Sequence, residues 1–390
     1  MYHRRKCKVE SLNNLAKTIS VLKRKSMTNH SDQKFIAYAL NLSKKNLGLT
    51  APNPVVGCVI VKDGVIISSA VTAKGGRPHA EKIAIEKVAN KSELENAVIY
   101  VTLEPCAHFG QTPPCVDEIL KYKFRKIVIA TQDPDLRVDG AAIQKLSDAG
   151  IEVVCGIMEK EAQEINRGFF KARREKMPFV TLKLATSLDG KIATKDFDSQ
   201  WITSEKSRLF SHYLRSTNDA ILVGANTVRK DNPSLNCRIP GLEDYSPKRV
   251  IISSSQSFDL SLKIFQNLSE IPTIILTDCD NKKIANSAAE IIFCKEKNGK
   301  VNLHDALLKL CESGLNSVLI EGGKNISTQF LKENLVDEIV WIRNKKIIGN
   351  DGIAAIGDMG FSKISDVLDG FEKTESKEMD GDAVEIYRKK

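Results

Sequence analysis

The chain reads GGRPHAE at residues 75–81 and TLEPCAHFGQTPPC at residues 102–115, and the reading of the whole molecule starts from these two stretches. His79, Cys106 and Cys115 are one borderline and two soft metal ligands, while Glu81 is a carboxylate that the ligand set does not need. A catalytic Zn²⁺ takes three protein ligands and leaves its fourth tetrahedral position to water, whereas a structural zinc is closed by four. Glu81 follows the histidine closely enough to sit over that water and carry its proton. A closed zinc knot, with Cys58, Cys155 or His108 as fourth ligand, is the competing arrangement. It leaves Glu81 and the Pro105-Cys106 turn without a role.

Zinc deaminases use the same inventory, with a non-ligand Glu as general acid/base and the signature H-x-E…P-C-x-x-C. Here eight residues, Ala107 to Pro114, separate the cysteines instead of two. Such a turn-rich insert between two ligands must loop out, so it is expected at the mouth of the pocket.

Composition bounds the rest. With 390 residues, 42% of them hydrophobic, the chain suits two globular domains better than one core. No run approaches the roughly 20 apolar residues of a membrane span. Nine cysteines scattered over this length form no dense disulfide framework, so reduced thiols and a cytoplasmic setting are expected. Residues 1–26 hold eight Lys/Arg against Glu10, which accounts for seven of the nine net positive charges and leaves the body at +2. A body so close to neutral lacks the electrostatic footprint of a nucleic-acid binder. The basic segment itself, with Leu12, Leu15, Ile19 and Leu22 at helical spacing, reads either as a transit-like leader or as a disordered extension before Met27.

The body alternates helical and strand periods in the manner of α/β folds. A helix is expected over 32–45, a hairpin over 56–68 around Lys62-Asp63-Gly64, and a helix over 79–89 that carries His79 and Glu81. A strand follows over 97–102, then a helix starting at Pro105-Cys106, a strand over 126–130, a helix over 140–149 and a strand over 151–155. The zinc domain thus spans 27–156, a charged helical connector 157–178, and a second domain 179–390, with strands over 179–185, 220–224, 250–253, 273–277 and 317–321. In that second domain Val318 to Gly323 is a buried strand running into a glycine pair, followed by a helix expected over 327–333. Strand, glycine turn and helix N-terminus together can cradle a phosphate, although a bare Gly-Gly is also a common turn. This is not the G-x-G-x-x-G fingerprint, which disfavours a standard Rossmann domain. Arg215 and Arg238 read as solvated charges or as a clamp for an anion.

PNPVVGCVIVKDG (52–64), GGRPHAE, TLEPCAHFGQTPPC, LKLATSLDGKIA (182–193), SQWIT (199–203) and Glu321-Gly322-Gly323 occur in an order that resembles the bifunctional riboflavin-biosynthesis family. That family fuses a diaminohydroxyphosphoribosylaminopyrimidine deaminase to a 5-amino-6-(5-phosphoribosylamino)uracil reductase. The resemblance runs from about Asp32 to the C-terminus and includes the long cysteine gap. It implies a cytidine-deaminase-like three-layer domain followed by a dihydrofolate-reductase-like domain, with Zn²⁺ and NADPH as cofactors. By the same resemblance His79, Cys106 and Cys115 hold zinc, Glu81 is catalytic, and Asn53 and Asp133 contact the first substrate. It further implies NADP contacts at Ala185, Trp201, Thr227, Asp231, Ser254, Gly323, Lys324, Asn325, Ile326, Ser327, Thr328 and Gln329. Substrate contacts are implied at Ser199, Arg215, Leu235, Arg238 and Glu321, with Lys183 near the ribose. The partner is then a small phosphoribosyl pyrimidine, with neither nucleic acid nor membrane required and a homo-oligomer left open. Thr72, Gln111, Asp135 and Ala141-Ala142 depart from the family pattern, and the charge changes at Gln111 and Asp135 are expected to weaken phosphate binding in the first site.

Overall fold

The structure is a computed structural model that describes residues 30–110, 112–135, 140–254, 258–279, 289–367 and 369–390. The basic segment 1–26 and Gln111 lie outside the described residues. The chain divides into two compact units, one running up to Asn46 and including Pro54–Asn166, the other comprising Leu47–Asn53 and Arg167–Lys390. The division falls inside the charged stretch 157–178, which forms two helices rather than one connector. Asn166 stands at the break because its side-chain amide both accepts from Val55 N and donates to Val55 O, each at 2.9 Å.

The first unit runs α1 (His30–Ser43), β1 (Gly57–Lys62), β2 (Val65–Val71), α2 (Ala80–Lys87), β3 (Val98–Val101), α3 (Cys115–Leu120), β4 (Lys126–Ile129), α4 (Ala141–Asp148), β5 (Glu152–Cys155) and α5 (Glu159–Ile165). Asp63 and Gly64 both have positive φ, 50° and 80°, which a two-residue hairpin turn between β1 and β2 demands. The sheet order is β2-β1-β3-β4-β5, antiparallel around β1 and parallel from β3 to β5. Strand residues alternate between two faces. Val59, Val61, Val98, Tyr100 and Val128 pack with Ile36, Ala39 and Leu40 of α1 and Ala162 of α5. The intervening Cys58, Ile60, Ile99 and Ile127 are fully buried on the opposite side, where α2, α3 and α4 lie. This is the three-layer α/β/α arrangement that the family resemblance implied.

The second unit begins with α6 (Arg167–Glu175), β6 (Phe179–Thr186), β7 (Lys191–Ala193), α7 (Glu205–Ser216), β8 (Ala220–Gly224), α8 (Ala225–Asp231), β9 (Lys248–Ile252), β10 (Thr273–Thr277) and β11 (Glu290–Phe293). It continues with β12 (Glu296–Lys297), β13 (Lys300–Val301), α9 (Leu303–Glu312), β14 (Ser317–Ile320), α10 (Lys324–Lys332), β15 (Glu338–Asn344), β16 (Ile353–Ala354), β17 (Phe371–Met379) and β18 (Asp382–Lys389). Its nine-stranded sheet has the order β11-β10-β9-β8-β14-β6-β15-β18-β17, parallel until β18 and β17 add antiparallel at one edge. Such a sheet is buried on both faces, as the unbroken burial of β8 and β10 requires. α6 is fastened to β15 by the Arg167 fork on Glu338, at 2.8 and 2.9 Å, and by Lys171 on Asp337.

Two helices start elsewhere than expected. α3 opens at Cys115, not at Cys106, because Pro113 and Pro114 keep the insert extended until the second cysteine. α10 opens at Lys324 with Gly323 as its cap, so Ser327 and Thr328 lie within the helix rather than at its entrance.

The closest backbone approach in the first unit is at Gly57, where a Cβ would lie 2.0 Å from Ala39 O. We expect Gly57→Ala to push α1 off β1 and to lower the unfolding free energy by about 2 kcal/mol or more, which denaturant titration would measure. Wild-type stability in that variant would show that the helix can shift at no cost.

Candidate functional site

In the first unit the extended backbone of His79 (φ −70°, ψ 156°) caps α2, so its ring projects ahead of the helix while Glu81 sits in the first turn. Cys106 follows β3 in the loop that ends at Cys115, the first residue of α3. The ligand atoms of His79, Cys106 and Cys115 all lie within 4.8 Å of one another. His79 turns Nδ1 toward the sulfurs, 3.2 Å from Cys115 Sγ and 3.6 Å from Cys106 Sγ, and its buried Nε2 has no partner. Cys58, Cys155 and His108 do not belong to this group. Among the described residues the cluster is therefore an open set of three, as a catalytic zinc requires.

The local electrostatics favour a cation. Cys115 donates its thiol to Cys106, which pulls the Cys106 pKa down to about 4. The same pairing, with burial, pushes Cys115 above its ordinary value. Only a positive ion lets both sulfurs be thiolates together. Glu81 is 3% exposed, and desolvation raises its carboxyl pKa against the lowering effect of His79. The insert between the cysteines carries Phe109 into solvent, 76% exposed, in keeping with its expected looping out.

Sequence reasoning missed Glu104. Its Oε2 accepts from Asp133 N at 3.3 Å and Gly140 N at 3.1 Å, and its Oε1 accepts from Ala142 N at 3.1 Å and Ile143 N at 3.4 Å. One carboxylate thus joins the zinc-ligand loop to the segment bearing Asp133 and to the start of α4, whose free N–H groups it satisfies. A charged residue between Leu103 and Pro105, at the end of an apolar strand, was the available signal. Asp133 is itself buried and accepts from Asp135 N at 2.8 Å. Asn53 lies in Leu47–Asn53, which packs with the second unit. Thr72, one of the departures from the family pattern, is buried and accepts from Val56 N.

In the second unit a cavity of about 630 Å³ lies at the carboxyl ends of the parallel strands, where open α/β sheets bind ligands. Ser199, Thr227, Asp231 and Ser254 line it, together with residues 323–326 and Gln329 at the start of α10. Other predicted cofactor contacts are not on its wall. Ser327 and Thr328 turn their hydroxyls onto the carbonyls of Gly323 and Lys324. Ala185 packs against the apolar core, and Trp201 is exposed with the Arg208 guanidinium 4.4 Å above its ring.

Of the predicted substrate residues, Arg215 and Lys183 meet the carboxylate of Glu321. Arg215 holds its carboxylate with Nε at 2.7 Å and Nη2 at 3.0 Å, and Lys183 Nζ adds a contact at 3.1 Å. Burial pushes the Glu321 carboxyl pKa up, but Arg215 and Lys183 outweigh it and hold the group well below the carboxylate range. The remaining Arg215 arm donates to Asn236 O at 3.1 Å, so its fork is engaged within the protein. Arg238 is exposed, and its guanidinium donates to Asn236 Oδ1 at 3.2 Å. Leu235 is buried at positive φ just before this strand of contacts.

Two family models match the chain: the cytidine and deoxycytidylate deaminase zinc-binding region over residues 29–131 and the RibD C-terminal domain over residues 178–384. The riboflavin biosynthesis protein RibD of Aquifex aeolicus is 41% identical over 345 residues, covering 88% of this chain and 94% of that protein. The chain belongs to the RibD family.

RibD structures agree with this membership. One from Acinetobacter baumannii superposes with a TM-score of 0.84 at 33% identity, covering 92% of this chain and 99% of its own. The diaminohydroxyphosphoribosylaminopyrimidine deaminase/5-amino-6-(5-phosphoribosylamino)uracil reductase of Thermotoga maritima does so at 0.82 and 35% identity, covering 93% and 99%. The chain is thus a bifunctional deaminase and reductase of riboflavin biosynthesis, with a dihydrofolate-reductase-like second unit. His79, Cys106, Cys115 and Glu81 fall in the zinc-binding region, and the cavity and the Glu321 cluster fall in the RibD C-terminal domain.

Two outcomes follow from the geometry. Glu104→Gln removes acceptors from backbone N–H groups, and we expect a loss of about 1–3 kcal/mol in unfolding free energy with zinc content unchanged. Denaturation and metal analysis test it, and unaltered stability would mean that those donors find other partners. The second concerns His212, buried in α7, whose Nδ1 lies 3.2 Å from Asn236 O and 3.3 Å from Arg238 N. Burial, then Arg215 and Arg238, push its pKa down to about 4, against opposing pulls from the Asn236 carbonyl and then Glu321. The unfolded chain binds that proton more tightly, so the contribution is present above about pH 6.5 and is lost as pH falls toward 4. His212→Gln should therefore flatten the stability-versus-pH curve over this window, by up to about 3 kcal/mol, and parallel curves would refute the assignment.

Proposed function

We propose that His79, Cys106 and Cys115 hold the zinc of a hydrolytic deaminase, that Glu81 moves its proton, and that the 630 Å³ cavity of the second unit holds NADPH. The substrate is the diaminopyrimidine phosphoriboside, which first loses an amine to become the uracil derivative. Its ribosyl group is then reduced to ribityl. The observation that carries the first half is the open three-ligand cluster beside a buried carboxylate.

Zinc, when bound, supplies a water acidified from 15.7 to about 7. Glu81 follows its ligand within the first turn of α2, and desolvation keeps its carboxyl ready to hold a proton. It takes that proton on the water side and delivers it to the amine nitrogen, so that ammonia leaves as a neutral molecule. Glu104 keeps Asp133 and the start of α4 against the ligand loop. In the second unit NADPH supplies the hydride. Lys183, Arg215 and Arg238 around the single carboxylate of Glu321 leave two uncompensated positive charges, which favour the sugar phosphate. Arg238 is the arm that meets it, while Arg215 orients Glu321.

Among the described residues no helix is long and apolar enough to cross a membrane. The eight described cysteines are free thiols, and the zinc ligands among them must stay reduced, which suits a cytoplasmic setting. A homo-oligomer is compatible with this reading and not required by it.

Glu81→Gln should keep zinc and fold while slowing deamination by roughly 10²–10⁴, and reduction of the already deaminated substrate should continue. Product masses with and without NADPH read both steps. Undiminished ammonia release would remove Glu81 from the reaction.

A further inference from the structure

The cavity wall holds four cations, Arg229, Lys230, Lys300 and Lys324. Three of them have evident occupations. The Arg229 guanidinium lies 5.0 Å over the Phe258 ring and the Lys230 ammonium 3.3 Å from the centroid of Phe197. Lys324 opens α10, whose first N–H groups face the cavity and suit a diphosphate. Lys300 stands on β13, in a stretch that neither the zinc motif nor the substrate cluster reaches, and it is exposed.

The direction in which NADPH must lie gives Lys300 its meaning. Hydride has to reach a substrate gathered at Glu321, after β14, and at Lys183 on β6. The nicotinamide therefore belongs at the β6–β14 side of the cavity, near Ser199. With the diphosphate at the start of α10, the adenosine extends the other way, across β8 to the end of β9. Ser254 lies there, two strands from β14 in the sheet order. Val301 N donates to Ser254 Oγ at 3.2 Å, which pins the β12–β13 hairpin to that strand end and sets Lys300 on the same wall.

We propose that Lys300, presented by this hairpin beside Ser254, reads the 2′-phosphate of NADPH and thereby discriminates against NADH. The assignment rests on the reading of the cavity as the cofactor site. An ammonium on a flexible stem suits a terminal phosphate dianion, which is the one chemical difference between the two cofactors. Asp278 accepts from Ser254 Oγ at 2.9 Å and so fixes that serine beyond the end of β9.

Titration of the full chain with NADPH and with NADH, followed by nicotinamide fluorescence, tests the proposal without turnover. Lys300→Ala should weaken NADPH by about tenfold or more and leave NADH within about twofold, and Lys300→Glu should lower the preference further. 2′,5′-ADP should displace NADPH from the wild type, and its own affinity should fall in Lys300→Ala. Lys297→Ala is the control from the same hairpin, because Lys297 pairs with Glu333 at 2.9 Å and does not line the cavity; it should keep both affinities. NADPH affinity unchanged in Lys300→Ala, or both cofactors weakened equally, would overturn the role of Lys300. Failure of the wild type to bind either cofactor would instead remove the cofactor reading of the cavity, and the proposal with it.

Discussion

Two sulfurs and an imidazole nitrogen drawn within 4.8 Å of one another cannot all carry their metal-binding protonation states unless a cation sits among them. Everything near the cluster serves to bear that constraint. Two of its ligands stand at helix starts, His79 capping α2 and Cys115 opening α3, where free N–H groups and the helix dipole favour negative charge. Cys106 accepts the Cys115 backbone N–H at 3.2 Å. The loop that carries it is held by Glu104, which anchors α4 in turn. The sheet and the helices α2, α3 and α4 on one of its faces are thus tied together around His79, Cys106 and Cys115.

The second unit solves a related problem with protein cations. Glu321 ends a fully buried parallel strand, and an isolated carboxylate there would be unaffordable in a low dielectric. Arg215 and Lys183 compensate it from α7 and β6. The cluster therefore orders three elements before any substrate arrives, and its surplus positive charge faces the solvent side through Arg238. Beside it, insertion of β14 between β8 and β6 brings the starts of α8 and α10 onto one cavity.

Much of this was legible in the residues because ligand chemistry and periodicity are local. His79, Glu81, Cys106 and Cys115 announce themselves by type and spacing, and the strands 97–102, 126–130, 220–224 and 273–277 stand out as apolar runs of strand length. The start of α10 was misjudged because Ser327 and Thr328 look like caps, whereas Gly323 takes that position without a side-chain bond. Glu104 escaped notice because its four partners are backbone groups lying far along the chain. The strands β15, β17 and β18 were not assigned: β17 is exposed along most of its length, so it lacks the alternation that marks a half-buried strand.

By itself the sequence determined the metal and the two-unit α/β plan, which follow from residue types and from patterns a few positions long, while the pair of activities came through its resemblance to the family. Tertiary structure alone decided that the Arg215 fork grips Glu321 and that Lys300 shares a wall with Ser254. Those are distances between segments remote in the chain, and they are set by how strands order in a sheet, which no local spacing encodes.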